Sequence, residues 1–210
     1  VLNANGANIS GIINAVNGNI AGWKITADAL YKNISGISSG MCSMKTKVVS
    51  SEGLLYTLNS DEISYAVSGI GSCEDGDIVI PNIYNGLPVT TIGESAFHRC
   101  KSLMSVVIPD SVTSIGGMAF YICDNLTSVV IPDSVTTIGE NAFYHCVNLK
   151  SITIPDSVTT IGKVAFGECV NLKSITIPNS VTTIEDGTFF SCVKLKSITV
   201  AKSNDKTFFI

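Results

Sequence analysis

Charge is scarce in this chain. Only 14% of its 210 residues are Asp, Glu, Lys or Arg, and the formal net charge is −4. With a pI near 5.1 there is no basic excess to draw it to nucleic acid or to an acidic membrane. No apolar run approaches the ~18 residues that a membrane-spanning helix needs, so membrane insertion is not expected. The first basic residue is Lys24, so the N-terminus lacks the positive start of a secretory signal. Val1 in place of Met predicts a fragment or a processed chain. The phosphate-cradling G-x-x-x-x-G-K-[ST] and the zinc-protease H-E-x-x-H patterns are both absent. What is plentiful is apolar: 45% of the chain, enough to exclude disorder and to fill a sizeable core.

The apolar residues recur at a fixed interval. Cys100, Cys123, Cys146, Cys169 and Cys192 are spaced by 23 residues, and so are Leu103, Leu126, Leu149, Leu172 and Leu195. Pro109, Pro132, Pro155 and Pro178 keep the same step. Within one unit, Ile152 and Ile154 alternate with period two, the mark of a strand buried on one face. Pro155, having no N–H, ends the strand. Val158 and Ile161 point inward from a second extended stretch, and Gly162 is expected to permit a sharp bend. Ala165-Phe166 supplies a bulky plug before Cys169 closes the turn. A single unit cannot bury such a face, but stacked units pair strand with strand in a parallel sheet, giving a solenoid.

The unit L-x-x-I-x-I-P-x-x-V-x-x-I-G-x-x-A-F-x-x-C resembles the leucine-rich repeats of the BspA-like, Treponema-type family over residues 73–200. Asp77–Ile92 is similar to that family's first unit, with a longer loop after Pro81. The expected fold is a β-rich α/β leucine-rich-repeat solenoid, a right-handed parallel-sheet horseshoe of 23-residue repeats with an N-terminal β-hairpin cap. Leu54–Leu58 and Ile63–Val67 alternate around Asn59–Glu62 and read as that hairpin. The resemblance implies a surface protein, bacterial or bacteriophage, that binds partners and carries no catalytic residues. The expected organisation is a structural segment at 1–50, the cap at 51–72, repeats at 73–202 and a tail at 203–210.

Residues 1–50 do not carry the repeat. Leu2, Ile9, Ile13, Val16 and Ile20 follow the steps of a coiled-coil seam, though the Gly and Asn around them weaken a helix. The alternative is a set of loose turns. Ile20-Ala-Gly-Trp-Lys-Ile25 and Ala29-Leu-Tyr31 resemble modules of bacteriophage tail fibres, which implies a homotrimer through residues 1–50 and a location on a virion tail. Trp23 serves equally as a core residue of a small β module.

Seven cysteines invite a disulfide or metal reading. Ladder side chains on successive turns point the same way, so pairing is not expected, and no close C-x-x-C or His cluster offers a metal site. A column of buried thiols donating weakly to backbone is the expectation. Asp110, Asp133 and Asp156 form a ladder that Asn179 interrupts; turn acceptors are the simpler reading, a cation site the sharper one. No catalytic residue, metal or cofactor is assigned.

Two surfaces remain for a protein or glycan receptor. Outward strand positions form rows of Ser105, Ser128, Ser151, Ser174 and Ser197, of Val107, Val130, Thr153, Thr176 and Thr199, and of Met104, Thr127, Lys150, Lys173 and Lys196. The second surface follows each core Phe: His98-Arg99, Tyr121-Ile122, Tyr144-His145, Gly167-Glu168 and Phe190-Ser191. These pairs vary most between otherwise similar units, and aromatic residues of this kind concentrate at interfaces. Candidate partner-binding residues are therefore Tyr121, Tyr144, His98, Arg99, His145 and Phe190, with alanine at Tyr121 and Tyr144 expected to weaken attachment, and to affect folding little if the two are exposed, and Ser128, Ser151, Thr153 and Thr176 on the strand face. The expected role is extracellular attachment as a phage tail component that binds a host cell surface; the alternatives are a bacterial surface adhesin that binds host protein or glycan, and a purely structural tail protein.

Overall fold

Each 23-residue unit makes one coil, and each coil contributes two short strands to two parallel ladders. The computed structural model describes residues 50–200, together with the strands β1 (Gly18–Ile20), β2 (Trp23–Ile25) and β17 (Thr207–Phe208). The chain divides into two compact units, Val1–Val49 and Ser50–Ile210. In the first, β1 and β2 pair antiparallel. Ile20, the last member of the expected coiled-coil seam, thus lies in a strand rather than a helix, in keeping with the poor helix propensity of Gly18 and Asn19. The rest of that seam, the Ala29-Leu-Tyr31 match and Cys42 lie outside the described residues.

In the second unit, the first ladder contains β5 (Asp77–Val79), β8 (Ser105–Val107), β10 (Ser128–Val130) and β12 (Ser151–Thr153), paired in parallel. It continues in β14 (Ser174–Ile177) and β16 (Ser197–Val200), paired with each other. The second ladder runs β7 (Leu87–Ile92), β9 (Ser114–Ile115), β11 (Thr137–Ile138), β13 (Thr160–Ile161), β15 (Thr183–Ile184) and β17. The period fixes the register: Ser128 faces Ser105 and Ser151, one repeat away on either side.

A hairpin of β3 (Leu55–Leu58) and β4 (Tyr65–Gly69) adds to the first strand of the second ladder, β4 lying parallel to β7. It is pinned by Asp61, whose carboxylate accepts from the Ile63 and Ser64 amides and the Ser64 hydroxyl. The longer loop after Pro81 is a second small hairpin, β6 (Ile83–Tyr84) against β7, turning on Asn85 and Gly86, both at positive φ as such turns require.

Between the ladders lies the core. Phe97, Phe120, Phe143 and Phe166 are fully buried and stack ring on ring, with centroids 5.1–5.4 Å apart and planes within 9°. The four cysteines Cys100, Cys123, Cys146 and Cys169 are buried free thiols, and Cys192 is half-buried. From Cys123 onward each Sγ donates to the carbonyl of the core Phe in the preceding coil, as Cys146 does to Phe120 at 3.2 Å. Burial pushes the Cys123 thiol up to about 12, so it does not ionise at neutral pH.

Two expectations change. The described residues contain no helix, so the α component of the expected fold is absent: turns, not helices, return the chain between strands. Gly162 does not make a bend by adopting a left-handed conformation. A Cβ there would sit 2.5 Å from the Glu140 nitrogen of the coil before, and Gly93, Gly116 and Gly139 are constrained in the same way. Close approach of coils, not backbone freedom, calls for glycine in this column.

Candidate functional site

The variable pairs follow the core Phe, where the chain crosses from the second ladder back to the first. Alternate amides here reach forward to the next coil: Phe97 N–H donates to Ala119 and Arg99 N–H to Tyr121, and the same bonds recur from Phe120 to Ala142 and from Ile122 to Tyr144. The intervening amides turn back within their own coil, as His98 does to Ser95. This alternation places Arg99, Ile122, His145, Glu168 and Ser191 at φ between 53° and 57°. For the β-branched Ile122 that conformation costs roughly 1–3 kcal/mol. Its effect is to hold the preceding residue of each pair in a row along one edge.

That row begins with aromatic rings. His98 meets the Tyr121 ring edge-on at 5.1 Å, and Tyr121 stacks on Tyr144 at 5.0 Å and 17°. Both tyrosines are half-buried, because coils about 4.8 Å apart bring like rings into contact. Gly167, which carries no ring, ends the stack; a Cβ there would lie 2.5 Å from Val164 and 3.0 Å from the Tyr144 ring. Phe190, beyond that gap, is 58% exposed. Arg99 is exposed beside His98.

His145 draws in two carboxylates. Its Nδ1 lies 2.7 Å from Glu168 Oε2 and its Nε2 lies 3.9 Å from Asp124 Oδ1. The Asp124 oxygen is buried and has no hydrogen bond, the His145 contact being too long to count as one. The Tyr144 hydroxyl also donates to Glu168, which holds the Glu168 carboxyl below its usual range, with His145 adding to the effect. The same bond, with burial, pushes the Tyr144 phenol up to about 12. Glu168 follows His145 by one repeat, so the period alone could have paired them; nothing in the spacing marked Asp124. Cys146, next to His145, turns inward to the Phe120 carbonyl, so the two do not form a nucleophile–base pair.

The signs of these shifts give a pH test. A lowered carboxyl stabilises the fold above ~4.3 and loses that contribution as pH falls through the lower folded value. A raised phenol stabilises below ~10 and loses its contribution as pH rises toward about 12. Glu168→Gln is therefore expected to flatten the acid limb of stability against pH. Because Glu168 is partly open to solvent, the loss at neutral pH should stay under about 1 kcal/mol. Urea melts across the acid range check this; an unchanged acid limb would remove Glu168 from the cluster.

Ser128, Ser151, Thr153 and Thr176 are exposed on the first ladder, away from the aromatic row in sequence order along each coil. Lys194 Nζ donates to Asn171 Oδ1 at 2.8 Å. Asn171, Asn148 and Asn125 form a ladder onto backbone carbonyls of the preceding coil. Among the described residues no group of three or more His, Cys, Asp or Glu could hold a metal ion.

Six copies of the BspA type leucine rich repeat region match residues 90–208. The chain belongs to this family. Among solved structures, it is 37% identical to a leucine rich cell surface protein of Faecalibacterium prausnitzii, covering 71% of this chain and 41% of that one, with TM-score 0.63. A leucine-rich repeat protein of Bacteroides ovatus is 33% identical over 70% of this chain and 45% of its own, TM-score 0.56. The leucine rich repeat protein of T. pallidum is 28% identical over 70% of this chain and 79% of its own, TM-score 0.60. The chain thus spans less than half the length of the first two. No curated protein matches it.

Proposed function

We propose that this chain is a non-catalytic recognition module that attaches to a protein partner at a bacterial cell surface. The observation that carries the reading is the row His98–Tyr121–Tyr144, in which exposed His98 meets the first of two stacked, half-buried tyrosines edge-on, with His145 and Glu168 beside it. Rigid aromatic faces offer contact area at little cost in side-chain freedom, and interface energy concentrates in such residues. The F. prausnitzii relative being a cell surface protein supports the location. The tail-fibre resemblance of residues 20–31 and the homotrimer have no counterpart among the matched proteins, and the proposal does not use them.

Attachment of the purified chain to bacterial envelopes and to immobilised matrix protein tests the reading. Tyr121→Ala with Tyr144→Ala is expected to weaken attachment by roughly tenfold or more, the scale of losing two interface anchors. Ser128→Ala with Ser151→Ala should change it little. Because the tyrosines stack, the first pair will also lower stability by roughly 1–2 kcal/mol, so both are compared well below their melting transitions, with circular dichroism as the control. A serine pair that damages attachment more than the tyrosine pair would transfer recognition to the strand face.

A further inference from the structure

The strand face carries a feature that the aromatic edge does not explain. Lys150, Lys173 and Lys196 occupy successive rungs at the start of the first-ladder strands, bonded backbone to backbone: Lys173 N–H donates to the Lys150 carbonyl and Lys196 N–H to that of Lys173. Neighbouring rungs are about 4.8 Å apart, so three ammonium-bearing side chains leave the sheet side by side. All three are exposed, and among the described residues none forms an ion pair. Like charges at such a spacing repel one another even in water. A fourth ammonium, Lys194, is tethered to Asn171 in the neighbouring turn.

Beside the lysines run two rows of exposed hydroxyls, Ser151, Ser174 and Ser197, then Thr153, Thr176 and Thr199. Each can both donate and accept a hydrogen bond, and among the described residues none is engaged. The row is polarised. Its earlier members are Thr127 and Met104, and the Met104 amide bonds to Gly76, which lies among the exposed acids Glu74, Asp75 and Asp77. Positive charge is thus confined to the last three rungs in a chain whose net charge is −4.

We propose that this face binds a linear acidic polysaccharide lying along the solenoid axis, across β12, β14 and β16. Its carboxylate or sulfate groups would meet Lys150, Lys173 and Lys196 in turn, and its ring hydroxyls the serine and threonine rows. One rung is comparable in length with one sugar ring, so a charge on successive rings matches a lysine on successive coils. A flat, hydroxyl-lined surface with cations along one margin suits such a chain better than a globular protein, which would need a protruding apolar anchor.

The test is calorimetric titration of the full chain with heparin (sulfated), polygalacturonate (carboxylated), dextran (neutral) and duplex DNA. Heparin and polygalacturonate are expected to bind, increasingly weakly as salt is raised, and dextran not to bind. Lys150→Gln, Lys173→Gln and Lys196→Gln together should lower affinity by roughly tenfold, the size expected of three exposed ion pairs. Arginine at the same three positions should keep it, and Lys173→Glu alone should weaken it without disturbing the fold. Lys101→Gln with Lys163→Gln, off this row, should leave binding unchanged. Binding of dextran as tight as heparin, full affinity in the triple glutamine variant, or equal loss in the Lys101/Lys163 control overturns the proposal. Duplex DNA binding as tightly as heparin makes the face a general polyanion surface and also overturns it. The aromatic-edge variants should not affect this titration, so this proposal and the protein-attachment reading fail separately.

Discussion

Phe143→Ala is expected to cost about 3–5 kcal/mol, the range for deleting a large aromatic from a core that cannot collapse around the space. Phe143 is fully buried between Phe120 at 5.1 Å and Phe166 at 5.4 Å, each ring nearly parallel to its own. A domain's whole stability is about 5–15 kcal/mol, so this loss takes a large share of it. The position matters as much as the residue. Stability in a stacked array is a sum over neighbouring coils, and Phe143 serves two interfaces at once. Its loss should uncouple the coils on either side and broaden the urea transition. Phe189, half-buried and 6.0 Å from Phe166, ends the described stack, and alanine there should cost less than about 2 kcal/mol. If Phe143→Ala cost under about 1 kcal/mol, the ring stack would not hold the coils together.

The second large effect is expected at Gly139. A Cβ there would sit 2.5 Å from the Gly117 nitrogen and 2.6 Å from the Gly116 carbonyl carbon, both backbone atoms of the coil before. Backbone cannot rotate aside as a side chain can. Gly139→Ala must push adjacent coils apart and stretch the Gly139 N–H to Ile115 bond, now 2.8 Å. A loss of about 3 kcal/mol is expected, at the upper end for overpacking. Gly117→Ala is the control. Its Cβ would come no nearer than 3.4 Å, to the Glu140 carbonyl oxygen, and it should cost under about 1 kcal/mol. The chain contains its own version of the experiment. Glu185 stands in the glycine column, and there only Ile161 and Ile184 pair between β13 and β15, where earlier rungs pair two residues each. The Val164 to Asp186 bond is likewise longer, 3.3 Å against 2.8 Å for Met118 to Glu140.

The repeat period made the ladders legible, because a residue and its counterpart one repeat on are adjacent rungs. From it followed the strands, the core phenylalanines and the inward thiols. The hairpin was legible for a different reason: alternation flanking Asn59–Glu62 is a local signal. What the period did not disclose was the distance between coils. That spacing decides that Gly162 avoids a clash, that Tyr121 and Tyr144 stack, and that Glu168 comes within reach of both His145 and Tyr144. The left-handed residues were hidden for the opposite reason. Arg99, Ile122, His145 and Glu168 share a conformation but no chemistry, so composition gave no sign of it.

Hydroxyl-radical footprinting of the attached chain tests the central claim most directly, because it reads the contact surface without substituting any residue. Oxidation of Tyr121 and Tyr144, followed by mass spectrometry, is compared between the free chain and the chain bound to the protein surface it adheres to. Recognition through the aromatic edge requires both tyrosines, with His98 and His145, to be shielded on attachment. Attachment that leaves all four as reactive as in the free chain would contradict it.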